Sequence, residues 1–123
     1  MGILIVDNNG LLGTYFEDVL HNYQVFCSEN GKEALELLLE PISPVKLILC
    51  DYEMPIMDGF NFINTIKTSA KYNALEIPVI GTGSFSIGDK RKFLEKGYVK
   101  EFISKPIPIR DLQDIVKKYF PQE

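Results

Sequence analysis

Five times along the chain a short, almost wholly apolar run is followed by a longer stretch whose apolar residues recur every three or four positions. This alternation restricts the fold more than any other feature of the sequence. The short runs are Ile3 to Val6, Gln24 to Cys27, Lys46 to Cys50, Pro78 to Thr82 and Glu101 to Ile103. Nearly continuous apolar runs are the pattern of parallel strands covered on both faces. The longer stretches are Leu11 to Leu20, Gly31 to Leu39, Gly59 to Ser69, Ile87 to Glu95 and Ile109 to Tyr119. Their spacing is that of helices burying one stripe, as Leu112, Ile115, Val116 and Tyr119 show. Asn30-Gly31 marks a helix start, Pro41 and Pro44 separate the second helix from the third strand, and Pro78 opens the fourth. Strand and helix in strict succession, with right-handed crossovers, predict one α/β domain over residues 1–123. The architecture expected is a three-layer, doubly wound sheet of five parallel strands. The interval Lys67 to Glu76 is long for a plain connection and predicts an extra turn.

Charge and composition exclude several classes. Thirteen lysines and arginines against 17 acids give a net charge of -4, the wrong sign for binding a phosphate backbone, so no direct nucleic-acid contact is expected. Cys27 and Cys50 sit in apolar runs without CxxC spacing; both read as buried packing residues in a reducing setting. The opening GILIV is too short for a secretory leader, and no segment reaches the roughly 18 apolar residues of a membrane span. A soluble cytoplasmic protein is expected. Lys90, Arg91, Lys92, Lys96 and Lys100 make the fourth predicted helix and its exit locally basic, which reads first as a solvated face and second as a surface that could steer an acidic partner. His21, the only histidine, reads as a surface or C-capping residue of the first helix. After Lys105 the chain has room for one more helix, so output is expected to come from another protein.

In open parallel sheets ligands collect beyond the carboxyl ends of the strands. The loops there hold Asp7, Asn8 and Asn9; Asp51, Tyr52 and Glu53; Gly83 and Ser84; and Ser104, Lys105 and Pro106. Asp7 and Asp51 each follow an unbroken apolar strand and should emerge at the same edge. Two adjacent acids repel, and hard oxygen donors with space for water suit Mg²⁺. Lys105 brings a fixed positive charge to that edge. A carboxylate nucleophile, a divalent ion and a lysine are the parts of phosphoryl transfer, which is mostly positioning and charge neutralisation.

The segments ILIVDN (3–8), LILCDYEMPIMDGF (47–60), IPVIGTGS (77–84) and FISKPI (102–107) resemble the four motif regions of the response-regulator receiver family, in the family order. The resemblance implies the flavodoxin-like receiver fold of strand order 2-1-3-4-5. It implies that Asp51 is the phosphoacceptor, charged by a histidine kinase or phosphotransfer protein. Asp7, Asn8, Asp51 and the backbone carbonyl of Glu53 match the Mg²⁺ ligands, and Lys105 matches the lysine that pairs with the acceptor. Met54, Pro55, Gly59 and Pro106 match structural loop positions, and the Lys105-Pro106 bond is often cis in relatives. The signal is expected to reach a downstream protein through the face of the fourth predicted helix, fifth strand and fifth predicted helix.

Two positions, Asn8 and Gly83, depart from the pattern, and the switch aromatic is filled by a phenylalanine. Asn8 stands where a second acid is usual, which predicts weaker Mg²⁺ binding. Gly83 falls where a phosphate-binding hydroxyl is usual; Thr82 and Ser84 flank it, but neighbours in an extended segment point to opposite sides. Phe102 fills the switch aromatic without a tyrosine hydroxyl. A phosphorylation-independent pseudo-receiver acting as a protein-interaction module therefore stands as the alternative. A flavodoxin-like cofactor carrier is a remote one, because DNNGLLGT offers a single threonine and would repel a flavin phosphate. An aspartyl phosphatase would match Glu53 but not the Met54 to Gly59 string.

Overall fold

Strand β1 (Gly2–Val6) is buried along its whole length because it lies between β2 (Gln24–Ser28) and β3 (Val45–Asp51). Beyond β3 lie β4 (Val79–Thr82) and β5 (Glu101–Ile103), giving the order β2-β1-β3-β4-β5 with every neighbouring pair parallel. The computed structural model describes residues 2–40, 45–73 and 75–120, and of Leu11 the backbone alone. The expected breakpoints Pro41 and Pro44 lie outside the described residues.

Side chains alternate across the sheet. Ile3, Ile5, Leu47 and Leu49 face α1 (Gly10–Val19) and α6 (Ile109–Tyr119), which bring Phe16, Leu112, Ile115 and Val116 to that layer. Leu4, Val6, Ile48 and Cys50 face α2 (Gly31–Leu38), α3 (Gly59–Thr68) and α5 (Ile87–Glu95), which contribute Ala34, Phe62, Ile63 and Phe93. Each such Leu, Ile or Phe, removed from water, stabilises the fold by about 1.5–3 kcal/mol. The expected extra turn is α4 (Ala70–Asn73), so the fourth and fifth predicted helices are α5 and α6. The Lys67 ammonium donates to the Ile77 carbonyl at 2.8 Å and closes this connection.

Local chemistry sets the helix starts. Asn30 accepts from the Glu33 N–H at 3.0 Å, Asp58 from the Asn61 N–H at 2.9 Å and Ser86 from the Asp89 N–H at 3.1 Å. Each cap satisfies a backbone donor that the first turn leaves unpaired. Cys50 is buried as expected, but Cys27 is exposed. The reason is position: β2 is an edge strand, so its apolar run is covered only in part.

The register places the functional edge. Val6 pairs with Cys50, Asp51 with Thr82 and Thr82 with Ile103. Asp7, Asp51, Gly83 and Ser104 therefore leave the sheet at one end, across the point between β1 and β3 where the winding direction reverses.

Candidate functional site

Asp7 and Asp51 are each 7% exposed, so both acids are largely removed from water at adjacent strand ends. Lys105 offsets the cost. Its ammonium donates to the Asp7 carboxylate and lies 3.3 Å from Asp51 Oδ2, holding the two acids on one cation. Asp7 Oδ1 also accepts from the Asn9 N–H at 2.8 Å. Burial raises the Asp51 pKa above its ordinary value, with Asp7 adding to the rise, while the Lys105 charge and a Tyr52 N–H oppose it. Burial alone would lower Lys105, yet its hydrogen bond to Asp7 and the charges of Asp7 and Asp51 carry it upward. Lys105 thus stays protonated at neutral pH.

Asp51 opens onto a cleft of about 410 Å³ lined also by Glu53, Gly83, Ser84, Ser104 and Lys105. Gly83 does more than omit a hydroxyl. Its φ is +83°, and a β-carbon there would overlap Asp51 Oδ1. Thr82, buried and in register with Asp51, is not among the residues lining the cleft, whereas Ser84 is exposed and lines it. Phe102 faces Gly81 across the strands and lays its ring where a residue-81 side chain would be. That ring meets Phe85 edge-on at 5.1 Å, and Phe85 meets Tyr52 at 5.2 Å. An aromatic string thus runs from the residue after Asp51 to β5. The Lys90 ammonium lies 5.9 Å from the Phe102 ring centre, and Lys92 and Lys96 lie over Phe60 and Tyr98.

The loop after β3 is tied down at several points. Gly59 N–H donates to the Tyr52 carbonyl at 2.8 Å, Met57 N–H to Pro55 at 2.6 Å, and Gly31 N–H to Met57 at 3.1 Å. Met54 packs on the core, Pro55 is exposed, and Lys105-Pro106 is cis. Asn8 is exposed beside Asp7. His21 is exposed at the far end of α1, away from this edge. Among the described residues no cluster of three or more His, Cys, Asp or Glu could form an all-protein metal cage. The oxygen donors of this edge are the Asp7 and Asp51 carboxylates, with Glu53 lining the open cleft and Asn8 exposed beside Asp7. That set fits Mg²⁺, which is commonly held by one or two carboxylates with water and phosphate completing its shell.

Ser104, Tyr52 and Phe85 carried no assigned role at the level of sequence, whereas Phe102 was expected as the switch aromatic. Ser104 stood at a strand end beside the candidate lysine, a signal that position alone could have flagged. The string depends on Phe85 turning inward, which no local pattern announces.

Comparison with known proteins gives a consistent result. The response regulator receiver domain matches residues 3–117. Hybrid signal transduction histidine kinase M of Dictyostelium discoideum is 35% identical over 120 residues; the match takes in 94% of this chain but spans only 5% of that kinase. The polar-differentiation response regulator DivK of Brucella anthropi is 29% identical over 119 residues, covering 95% of this chain and 94% of that protein. A solved receiver domain of a Pseudomonas aeruginosa sensor histidine kinase, with a magnesium ion in its active-site cleft, superposes with a TM-score of 0.76 over 98% of both chains at 22% identity. Because the receiver-domain family model matches residues 3–117, nearly the whole chain, the chain belongs to the response-regulator receiver family of two-component signalling.

Proposed function

We propose that this receiver accepts a phosphoryl group on Asp51 from the phosphohistidine of a histidine kinase or phosphotransfer protein. The observation that carries the reading is the pairing of Lys105 with both Asp7 and Asp51 at the mouth of an open cleft. An Asp51 carboxylate oxygen attacks phosphorus, the P–O bond forms as the P–N bond breaks, and the histidine nitrogen keeps the electron pair and takes up a proton. Lys105 shields the charge of the incoming group. Held by Asp7, Asp51 and the Glu53 carbonyl, Mg²⁺ would supply further neutralisation of the phosphoryl oxygens, with Asn8 adding a dipole in place of a charge. The chain acts as an acceptor in the cytoplasm rather than as a turnover enzyme. Its signal leaves by protein contact on the face of α5, β5 and α6, where Lys90 and Phe102 lie together.

A second reading is favoured by the Gly81 and Gly83 edge: a protein-interaction module whose conformation is independent of phosphate. The two readings part in one experiment. After incubation with phosphoramidate and Mg²⁺, intact-mass measurement is expected to show one added phosphoryl group, absent in Asp51→Asn. No addition to the native protein would overturn the acceptor reading and leave the interaction module.

A further inference from the structure

Position 83 cannot carry a hydroxyl, because even its β-carbon would strike Asp51. The neighbouring strand end can. Gly83 N–H donates to the Ile103 carbonyl at 3.3 Å, which holds residue 104 beside residue 83 at the rim of the cleft. Along β5, Phe102 packs with the α2, α3 and α5 layer and Ile103 with the α1 and α6 layer. Alternation then brings Ser104 out on the Phe102 side. Ser104 lines the cleft together with Asp51, Gly83 and Lys105. Among the described residues its hydroxyl has no protein hydrogen-bond partner, so it is available to a ligand in the cleft.

Resting on the acceptor reading above, we infer that the Ser104 hydroxyl donates a hydrogen bond to an oxygen of the phosphoryl group on Asp51, in place of the side chain that Gly83 lacks. Lys105 and Ser104 then approach the anion from consecutive positions of one segment, one as a charge and the other as a directional donor. Ser84, on the other side of Gly83, lines the same cleft and serves as the internal comparison.

Beryllofluoride, which mimics a phosphoryl group on a carboxylate, provides the probe. In the presence of Mg²⁺, NMR titration of the whole protein is expected to show Ser104→Ala binding it about tenfold more weakly, the scale of one hydrogen bond to a charged group. Ser104→Thr, which keeps the hydroxyl, is expected within about twofold of the native protein on the same scale. Mg²⁺ affinity without beryllofluoride and the Tm are expected to be the same for all three, which a merely structural effect would not give. Native affinity in Ser104→Ala, or a loss confined to Ser84→Ala, overturns the assignment of Ser104 alone. Failure of the native protein itself to bind beryllofluoride overturns the acceptor reading with it.

Discussion

The edge built by β1 and β3 and the edge built by β4 and β5 border one cleft, yet they are furnished in opposite ways. The first concentrates charge: Asp7 and Asp51, almost fully buried, share the Lys105 ammonium. The second carries no side chain at Gly81 or Gly83, and Phe102 lies across the space at Gly81. Capturing an anion needs charges fixed in place; reporting its arrival needs a group that can move. Here the aromatic already rests on its glycine floor against Phe85. In the proposed acceptor role, capture and reporting draw on different edges of the cleft: the charges of the first are in place, and the aromatic of the second is already seated against Phe85.

The contrast breaks most visibly at Gly83. Gly83→Thr puts a β-branched residue on a backbone with φ of +83° and its β-carbon onto Asp51. A loss of about 3 kcal/mol in urea denaturation is expected; native stability would mean that the β4 edge accepts side chains after all. At Gly81 the probe is gentler. Gly81→Ala must expel the Phe102 ring, at a cost of about 2 kcal/mol and with displaced Phe102 ring resonances in NMR spectra. Unshifted resonances would show that the ring is not seated there.

On the charged edge, Asn8→Asp adds the acid that this chain lacks and is expected to tighten Mg²⁺ about tenfold, or roughly 1.4 kcal/mol, in a direct titration. Equal or weaker binding would mean that Asn8 lies outside the metal shell. The smallest effect belongs to the loop between the two edges. Ile56 is 80% exposed with φ of +67°, a region that penalises a β-branched side chain. Ile56→Asn is expected to raise stability by about 1 kcal/mol, and an unchanged denaturation midpoint would show that the strain is relieved elsewhere.

The charged edge was far more legible in the sequence than the emptied one. Buried parallel strands announce themselves as continuous apolar runs, so Asp7 and Asp51 could be placed at strand ends by local pattern alone. The bounds of β5, α5 and α6 fall where periodicity puts them, the capped starts of α2 and α3 do too, and the other ends shift by at most one residue. At β4 the decisive facts are long-range. That position 83 has no hydroxyl is written in the sequence; that its backbone turns to positive φ against Asp51 is not. The seat of Phe102 depends on its register with Gly81, and the exposure of Cys27 on β2 lying at the edge of the sheet. Neither follows from a window of neighbouring residues.

The acceptor itself is tested most directly by finding the phosphorylated atom. After reaction with phosphoramidate and Mg²⁺, borohydride reduction converts an acyl phosphate to homoserine, and tandem mass spectrometry locates the change. Homoserine is expected at position 51 alone, with Asp7 untouched. Conversion at Asp7, or at no aspartate while the protein remains folded, contradicts the assignment of Asp51.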